Sequence, residues 1–361
     1  MTPIRVLVVD DSATMRALIR RALTRDQGIE VVGEADHAQA ARAAIKALDP
    51  DVVTLDIEMP EMSGLELLEK IMLLRPTPVV MVSSLTAAGA EATVRALEIG
   101  ALDCVAKPTP SAPHSFDRLP QAVRAAAAAP RSRLGLGRPG HRAAGSPSPL
   151  AGRANGTRLI AIAASTGGVE ALVHVFSGLP PDAPPVAVVQ HMPPHFTTSF
   201  AQRLDRVAAL RVVEATDGLP LERGMGVVAP GGERHLEVLA GPDGGLRCRL
   251  VAAEPENGHR PSADRLFRSA VKATGARSIG VILTGMGADG AAGLLAMRQS
   301  GAHTIGQDEA TSIVYGMPNA AHRLGGVVEQ LGLDHVSQGI TRALVAARRP
   351  GARDDALRPV L

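Results

Sequence analysis

Two α/β domains in tandem, each built on a mainly parallel sheet with helices on both faces, are the architecture this sequence predicts. Three observations lead there. The chain has 361 residues, more than one typical domain holds. Short apolar β-rich runs alternate with longer helical patterns, both in the first third of the chain and after residue 157, as parallel sheets with helical crossovers require. The strand candidates are apolar almost throughout instead of alternating, as strands covered on both faces must be.

The first domain is assigned to residues 1–129. Its strands are IRVLVVD (4–10), VVGEAD (31–36), DVVTLD (51–56), PVVMVSS (78–84) and DCVAKP (103–108), five in all. Helical patterns such as SATMRALIRRALTRD and SGLELLEKIMLLR separate them, and a last one, SFDRLPQAVRAAAAA, ends at Pro130. Residues 130–156 hold six Gly, four Pro and five Arg with no acid and no apolar periodicity, the composition of a flexible basic linker. The second domain is assigned to residues 157–347, with strands RLIAIAA (158–164), PVAVVQ (185–190) and SIGVILT (278–284). The segment 211–251, with APGGERHLEVL and AGPDGGLRCRL, is short-stranded and turn-rich. It is expected to be a hairpin-like insertion in the second sheet. The tail RRPGARDDALRPVL (348–361) reads as disordered.

Composition excludes several function classes. Aromatic residues make up 2% of the chain, with no Trp and one Tyr, which argues against a stacking platform for single-stranded nucleic acid. The net charge of +2 generates no strong field toward nucleic acid or membrane, and no helix-turn-helix pattern follows the linker. Cys104 and Cys248 are far apart without metal-ligand spacing, consistent with a reducing compartment. The apolar run in MTPIRVLVVDDS is too short for a signal peptide, and no run is long enough to span a membrane. A cytoplasmic, monomeric protein is the expectation.

Ligands of open parallel sheets sit beyond the carboxyl ends of the strands. In the first domain those ends carry Asp10, Asp11, Asp56, Ser83 and Lys107. Three converging carboxylates repel one another without a cation, which outlines a Mg²⁺ site, and a carboxylate can itself accept a phosphoryl group. Taken singly, Asp10 and Asp11 also fit as caps of the helix starting near Ser12. In the second domain, three apolar runs end at or run on to Ser165, His191 and Asp289. A hydroxyl becomes a nucleophile when a base takes its proton, and the base is usually a histidine held by a carboxylate. The glycines of STGG and GMGADG then allow backbone N–H groups to approach an oxyanion. Taken singly again, Ser165 fits as a helix cap or the corner of a phosphate cradle. His191 fits as a core histidine, with His195 a nearby rival for the base, and Asp289 fits as a turn or cap residue before AAGLLAMR.

Family resemblance narrows these alternatives. VVDDSATMR, TLDIEMPEMSGLELL, VVMVSS and AKP resemble the receiver domain of bacterial response regulators. The resemblance implies a flavodoxin-like fold and phosphorylation of Asp56 by a chemotaxis histidine kinase. It also implies Mg²⁺ held by Asp10, Asp11 and Asp56, with Ser83 and Lys107 as the phosphate switch. Cys104 departs from the aromatic residue that many receivers have at this position. ASTGGVEAL, QHMPPHFTTSFAQRLD, APGG, RPSADRLF, LTGMGADGAAGL and SIVYGMPNAA are similar to the chemotaxis protein-glutamate methylesterase family, CheB, over roughly 158–325. That resemblance implies a serine hydrolase that demethylates glutamate methyl esters, and deamidates glutamines, on chemoreceptor cytoplasmic helices. The family's triad falls on Ser165, His191 and Asp289, and its oxyanion donors on the backbone of Thr166 and Met286. No cofactor is expected in this domain. Ala163 stands where the family usually has Gly. The layout further suggests that the first domain covers the second until Asp56 is phosphorylated.

Overall fold

The computed structural model describes residues 2–84, 86–110, 113–134, 149, 158–242 and 244–345. The assignments of a flexible linker at 130–156 and a disordered tail at 348–361 fall mostly or wholly outside the described residues. The start of the linker is described and is anchored. Arg131 pairs with Asp49 at 3.0 Å, and Leu134 packs against the first domain's core.

The first domain contains β1 (Ile4–Val9), α1 (Ala13–Leu23), β2 (Ile29–Ala35), α2 (Ala38–Leu48), β3 (Val52–Asp56), α3 (Gly64–Leu74), β4 (Val79–Ser83), α4 (Ala87–Ile99), β5 (Asp103–Ala106) and α5 (Leu119–Ala127). The five strands form one sheet in the order β2-β1-β3-β4-β5, and every pairing is parallel. The wholly buried residues of β3 and β4 explain why their sequences do not alternate. The strand order reverses between β1 and β3, and this is where a crevice opens at the carboxyl ends.

The second domain begins with β6 (Leu159–Ala164), α6 (Gly168–Ser177), β7 (Val186–Gln190), α7 (Phe196–Val207), β8 (Arg211–Glu214), β9 (Pro220–Leu221), β10 (Met225–Val228), β11 (Arg234–Ala240) and β12 (Leu246–Ala252). It continues with α8 (Ala263–Thr274), β13 (Ser278–Ile282), α9 (Ala291–Gln299), β14 (His303–Gln307), α10 (Met317–Arg323), β15 (Glu329–Leu331) and α11 (Leu333–Val345). Seven strands make a parallel sheet in the order β15-β14-β13-β6-β7-β10-β8. The expected insertion divides. Strands β8 and β10 join the parallel sheet, while β11 and β12 form an antiparallel hairpin in a separate three-stranded sheet with β9. The buried residues of that hairpin, Leu236, Val238, Leu246 and Cys248, share one apolar cluster with α8. The hairpin therefore packs by one face and need not enter the central sheet.

Register brings the key strand ends together. Ala164 pairs with Gln190 and Ala163 with Ile282, so the residues that follow β6, β7 and β13 emerge side by side. Ala163 is fully buried, and its extra methyl is accommodated within the core.

The two domains touch through α4, which packs on α7 and α6. Arg203 of α7 forms an ion pair with Glu98 of α4 at 2.5 Å. The loop before β5 reaches the loop after β6, where Gly167 N–H donates to the Leu102 carbonyl at 3.2 Å.

Candidate active site

The first cluster sits at the carboxyl edge of the N-terminal sheet. Oxygens of Asp10, Asp11 and Asp56 lie within 4.8 Å of one another, and Asp10 and Asp56 are buried. The helix-capping role goes to Ser12, whose side chain accepts from Met15 N–H at 3.3 Å, which leaves the carboxylates facing each other. Lys107 Nζ lies 3.0 Å from Asp10 Oδ2 and 2.8 Å from Asp56 Oδ2. Burial lifts the Asp56 carboxyl to about 6, against the pull of Lys107 and with the help of the Asp10 charge. Burial would depress Lys107, but its two carboxylate partners outweigh that and raise it. The donor set is entirely hard oxygen and carries excess negative charge, which fits a small divalent cation. The Ser83 hydroxyl is within reach of the carbonyls of Ser84 and Gly89, at 3.3 and 3.4 Å, at the start of α4.

The second cluster sits at the carboxyl edge of the C-terminal sheet. Ser165 follows β6 and is held by its backbone: its N–H donates to Thr284 O at 3.0 Å and its carbonyl accepts from Gln190 Nε2 at 2.9 Å. It does not cap α6. The N-cap of that helix is Gly167, at φ 75°, and a Cβ there would lie 2.7 Å from the Cβ of Ile313. Glycine is thus required both by conformation and by space. Gly285 is constrained by space alone, since a Cβ there would lie 2.7 Å from the Ser165 Cβ, which presses the 285–286 turn onto the serine. Neither Thr166 N–H nor Met286 N–H has an acceptor among the described residues.

His191 follows β7 and is buried, whereas His195, the rival, is exposed at the N-cap of α7. His191 Nε2 lies 2.9 Å from Asp289 Oδ2, and His191 Nδ1 is buried without a hydrogen-bond partner. Asp289 is not a cap of its own helix. Its Oδ2 also accepts from Ala263 N–H at 2.7 Å. Its Oδ1 accepts from Ser262 Oγ at 2.8 Å, Asn257 Nδ2 at 3.2 Å and Asp264 N–H at 3.3 Å. The carboxylate thus sits on the N-terminus of α8, where the helix dipole favours an anion. Burial would raise the Asp289 carboxyl, but the bonds from His191, Ala263 and Ser262 outweigh it and hold it below the usual range. The His259 ring stacks on His191 with centroids 3.8 Å apart and 4° between planes. Burial first, and then the neighbouring His191 charge, push His259 down to about 3, so it is neutral near pH 7.

Sequence reading named Ser165, His191, Asp289, Thr166 and Met286, and the fold brings all of them to one sheet edge. It missed Asn257, His259, Ser262 and Gln190. The only available signal for the first three was the polar run NGHRPSAD, whose role depends on a loop packing across 25 or more residues against Asp289.

The cavity between Ser165 and His191 is also lined by Leu102, Asp103 and Cys104 of the first domain and measures about 20 Å³, room for a single water. Cys104 is 1% exposed, and burial pushes its thiol far up.

Comparison with known proteins assigns a family to each of the two domains. A family model described as CheB methylesterase matches residues 160–340, and one described as response regulator receiver domain matches residues 6–117. The chain belongs to the CheB methylesterase family. It is 54% identical over 350 residues to a protein-glutamate methylesterase/protein-glutamine glutaminase of Agrobacterium fabrum, covering 96% of this chain and 98% of that one. A protein-glutamate methylesterase/protein-glutamine glutaminase 1 of Caulobacter vibrioides is 54% identical over 349 residues, covering 97% and 100%. The crystal structure of the Thermotoga maritima CheB methylesterase catalytic domain aligns with a TM-score of 0.50 at 34% identity, over 51% of this chain and 97% of that one. No helix among the described residues is long and apolar enough to cross a membrane.

Proposed function

We propose that this member of the CheB family is a phosphorylation-regulated serine hydrolase that demethylates glutamate methyl esters, and deamidates glutamines, on chemoreceptor cytoplasmic helices. The observation that carries the reading is the buried His191 Nε2–Asp289 pair, which leaves Nδ1 without a partner in the cavity that Ser165 lines. Asp289 keeps the ring proton on Nε2, so Nδ1 is the base. Ser165 Oγ attacks the ester carbonyl while Nδ1 takes its proton, and Thr166 N–H and Met286 N–H receive the oxyanion. The imidazolium returns the proton to the departing methoxide and methanol leaves. Water then attacks the acyl-serine with His191 again as base, and glutamate is released. The same steps on a glutamine release ammonia. Ser165 Oγ and His191 are not hydrogen-bonded in this conformation, and such contacts commonly tighten when substrate binds.

Residues 1–129 act as the receiver and 157–347 as the catalytic domain. Asp56 accepts the phosphoryl group from a histidine kinase, and Lys107 and Ser83 respond to it. Asp10, Asp11 and Asp56 would hold Mg²⁺, which when bound neutralises charge on the phosphoryl oxygens. Docking of the receiver inhibits the enzyme. In support, a cavity of about 20 Å³ has no room for a methylated glutamyl side chain. Phosphorylation shifts the equilibrium toward the undocked form.

The test is methanol release from methylated receptor cytoplasmic fragments by the full chain, Ser165→Ala and Asp56→Asn, each with and without Mg²⁺ and a small phosphodonor. Release that requires Ser165, and that rises with phosphodonor only when Asp56 is present, is expected. Release independent of Ser165 refutes the chemistry, and Ser165-dependent release indifferent to phosphodonor refutes the control.

A further inference from the structure

His235, in β11, is fully buried, yet it does not line the cavity between Ser165 and His191. Its ring stands between two backbone groups. Nδ1 accepts from Ser262 N–H at 3.1 Å, and Nε2 lies 3.0 Å from the Glu254 carbonyl. An amide N–H can only donate and a carbonyl can only accept, so the ring carries its proton on Nε2. Burial, with Arg265 and Arg260 nearby, holds the ring below the ordinary histidine range, against the Glu254 bond and the Glu256 charge. Ser262 is fully buried as well, so its N–H needs this acceptor.

Three consecutive backbone N–H groups meet here. Ser262 N–H goes to His235, while Ala263 N–H and Asp264 N–H go to Asp289 at 2.7 and 3.3 Å. Adjacent peptide planes share a Cα, so turning the first moves the other two. Ser262 Oγ adds a fourth link, 2.8 Å from Asp289 Oδ1. β11 is an edge strand of its sheet, and α8 lies along it by Ser262, Arg265 and Ser269, residues on one helix face. Arg265 pairs with Glu237 at 2.7 Å, and Val238 N–H donates to Ser269 Oγ at 2.9 Å. These two contacts hold the body of the helix to the hairpin. His235 holds the end that faces Asp289.

We propose that His235 is a positioning residue of the triad: by accepting the Ser262 N–H on Nδ1, it fixes the peptide units that seat Asp289 and, through Asp289, the His191 ring. The proposal rests on the esterase reading above. It gives the β11–β12 hairpin a part in the reaction, although His235 touches neither Ser165 nor the cavity. The two ring nitrogens have separate duties. The Nε2 bond to Glu254 ties down the loop beyond the hairpin, and the Nδ1 bond to Ser262 serves the triad.

The experiment exploits that separation in the full chain. In His235→Asn the amide reaches the Nδ1 position and can still accept from Ser262 N–H, but the Glu254 bond is lost. In His235→Gln the amide reaches the Nε2 position and can still donate to Glu254, but Ser262 N–H loses its acceptor. Each variant gives up one of two bonds, so their melting temperatures should fall by similar amounts. Methanol release from a methylated receptor fragment, with Mg²⁺ and phosphodonor, gives kcat and KM. His235→Gln should lose about tenfold in kcat, the scale of one buried hydrogen bond left unmade. His235→Asn should stay within about threefold of the parent, and KM should be unchanged in both. Equal kcat losses at equal melting temperatures overturn the proposal, because His235 is then only structural. An unchanged kcat in His235→Gln, or a loss confined to KM, overturns it too. If neither variant folds, nitrogen NMR of the parent with labelled histidine decides: a neutral His235 ring protonated on Nε2 is expected, and a proton on Nδ1 at pH 7 overturns the proposal. A parent that releases no methanol above the Ser165→Ala baseline overturns the esterase reading, and this proposal with it.

Discussion

Replacing Asp289 by Asn separates the carboxylate's two roles. The change keeps the shape and exchanges one oxygen for an NH₂ group. On the Oδ1 side stand three donors, from Ser262, Asn257 and Asp264. On the Oδ2 side stand two, from His191 and Ala263. The amide oxygen therefore takes the Oδ1 side and the NH₂ group faces His191. There it donates to Nε2 and drives the ring proton to Nδ1, the nitrogen that accepts from Ser165 in the proposed mechanism. A wrong tautomer of this kind costs about 10⁴ in kcat, equivalent to about 5.4 kcal/mol in the barrier. The NH₂ group also opposes Ala263 N–H, and the helix loses its anion, together about 1–4 kcal/mol of stability. Methanol release from a methylated receptor fragment, alongside thermal melting, measures both. A loss of activity below tenfold, with the protein folded, would refute the assignment of Asp289 as holder of the tautomer.

Other outcomes follow from the same geometry. Ser262→Ala removes both the N-cap of α8 and a donor to Asp289, and should cost about 1–2 kcal/mol by chemical denaturation with a smaller activity loss than Asp289→Asn; unchanged stability would count against the cap. Because the Asp56 carboxyl is lifted from 3.8 to about 6, protons compete with Mg²⁺ and the phosphoryl group below that pH. Phosphodonor stimulation should fade as pH falls through about 6. Without divalent cation, the receiver's stability should decline as pH rises through the same point, since a raised carboxyl favours the folded state only while protonated. Asp56→Asn should abolish that slope in melts across pH 4–8. Glu98→Lys sets two cations against each other across the interface where Arg203 and Glu98 now pair; basal methanol release should rise about threefold, and Arg203→Glu added to it should restore the parent value.

The primary sequence alone determined much of this protein. Strand identities follow from unbroken apolar runs, since a doubly covered strand tolerates polar residues only at its ends. Chemistry-bearing residues at those ends, Asp56 after VVTL and Ser165 after IAIAA, were therefore visible as candidate site residues in the sequence. Local patterns were less informative where function depends on packing. The strands at 303–307 and 329–331 were not foreseen, being short and partly polar. The hairpin at 234–252 was assigned to the wrong sheet, because periodicity shows which face is buried but not what buries it. Only tertiary structure decided which ring nitrogen of His191 faces Asp289 and why that carboxylate stays ionised against the α8 N-terminus. It alone placed the His259 ring on His191 and brought Asp103 from the other domain to Thr166. These contacts join residues far apart in the chain, and side-chain direction at such distances is set by how helices and sheets pack, which no local run of residues encodes.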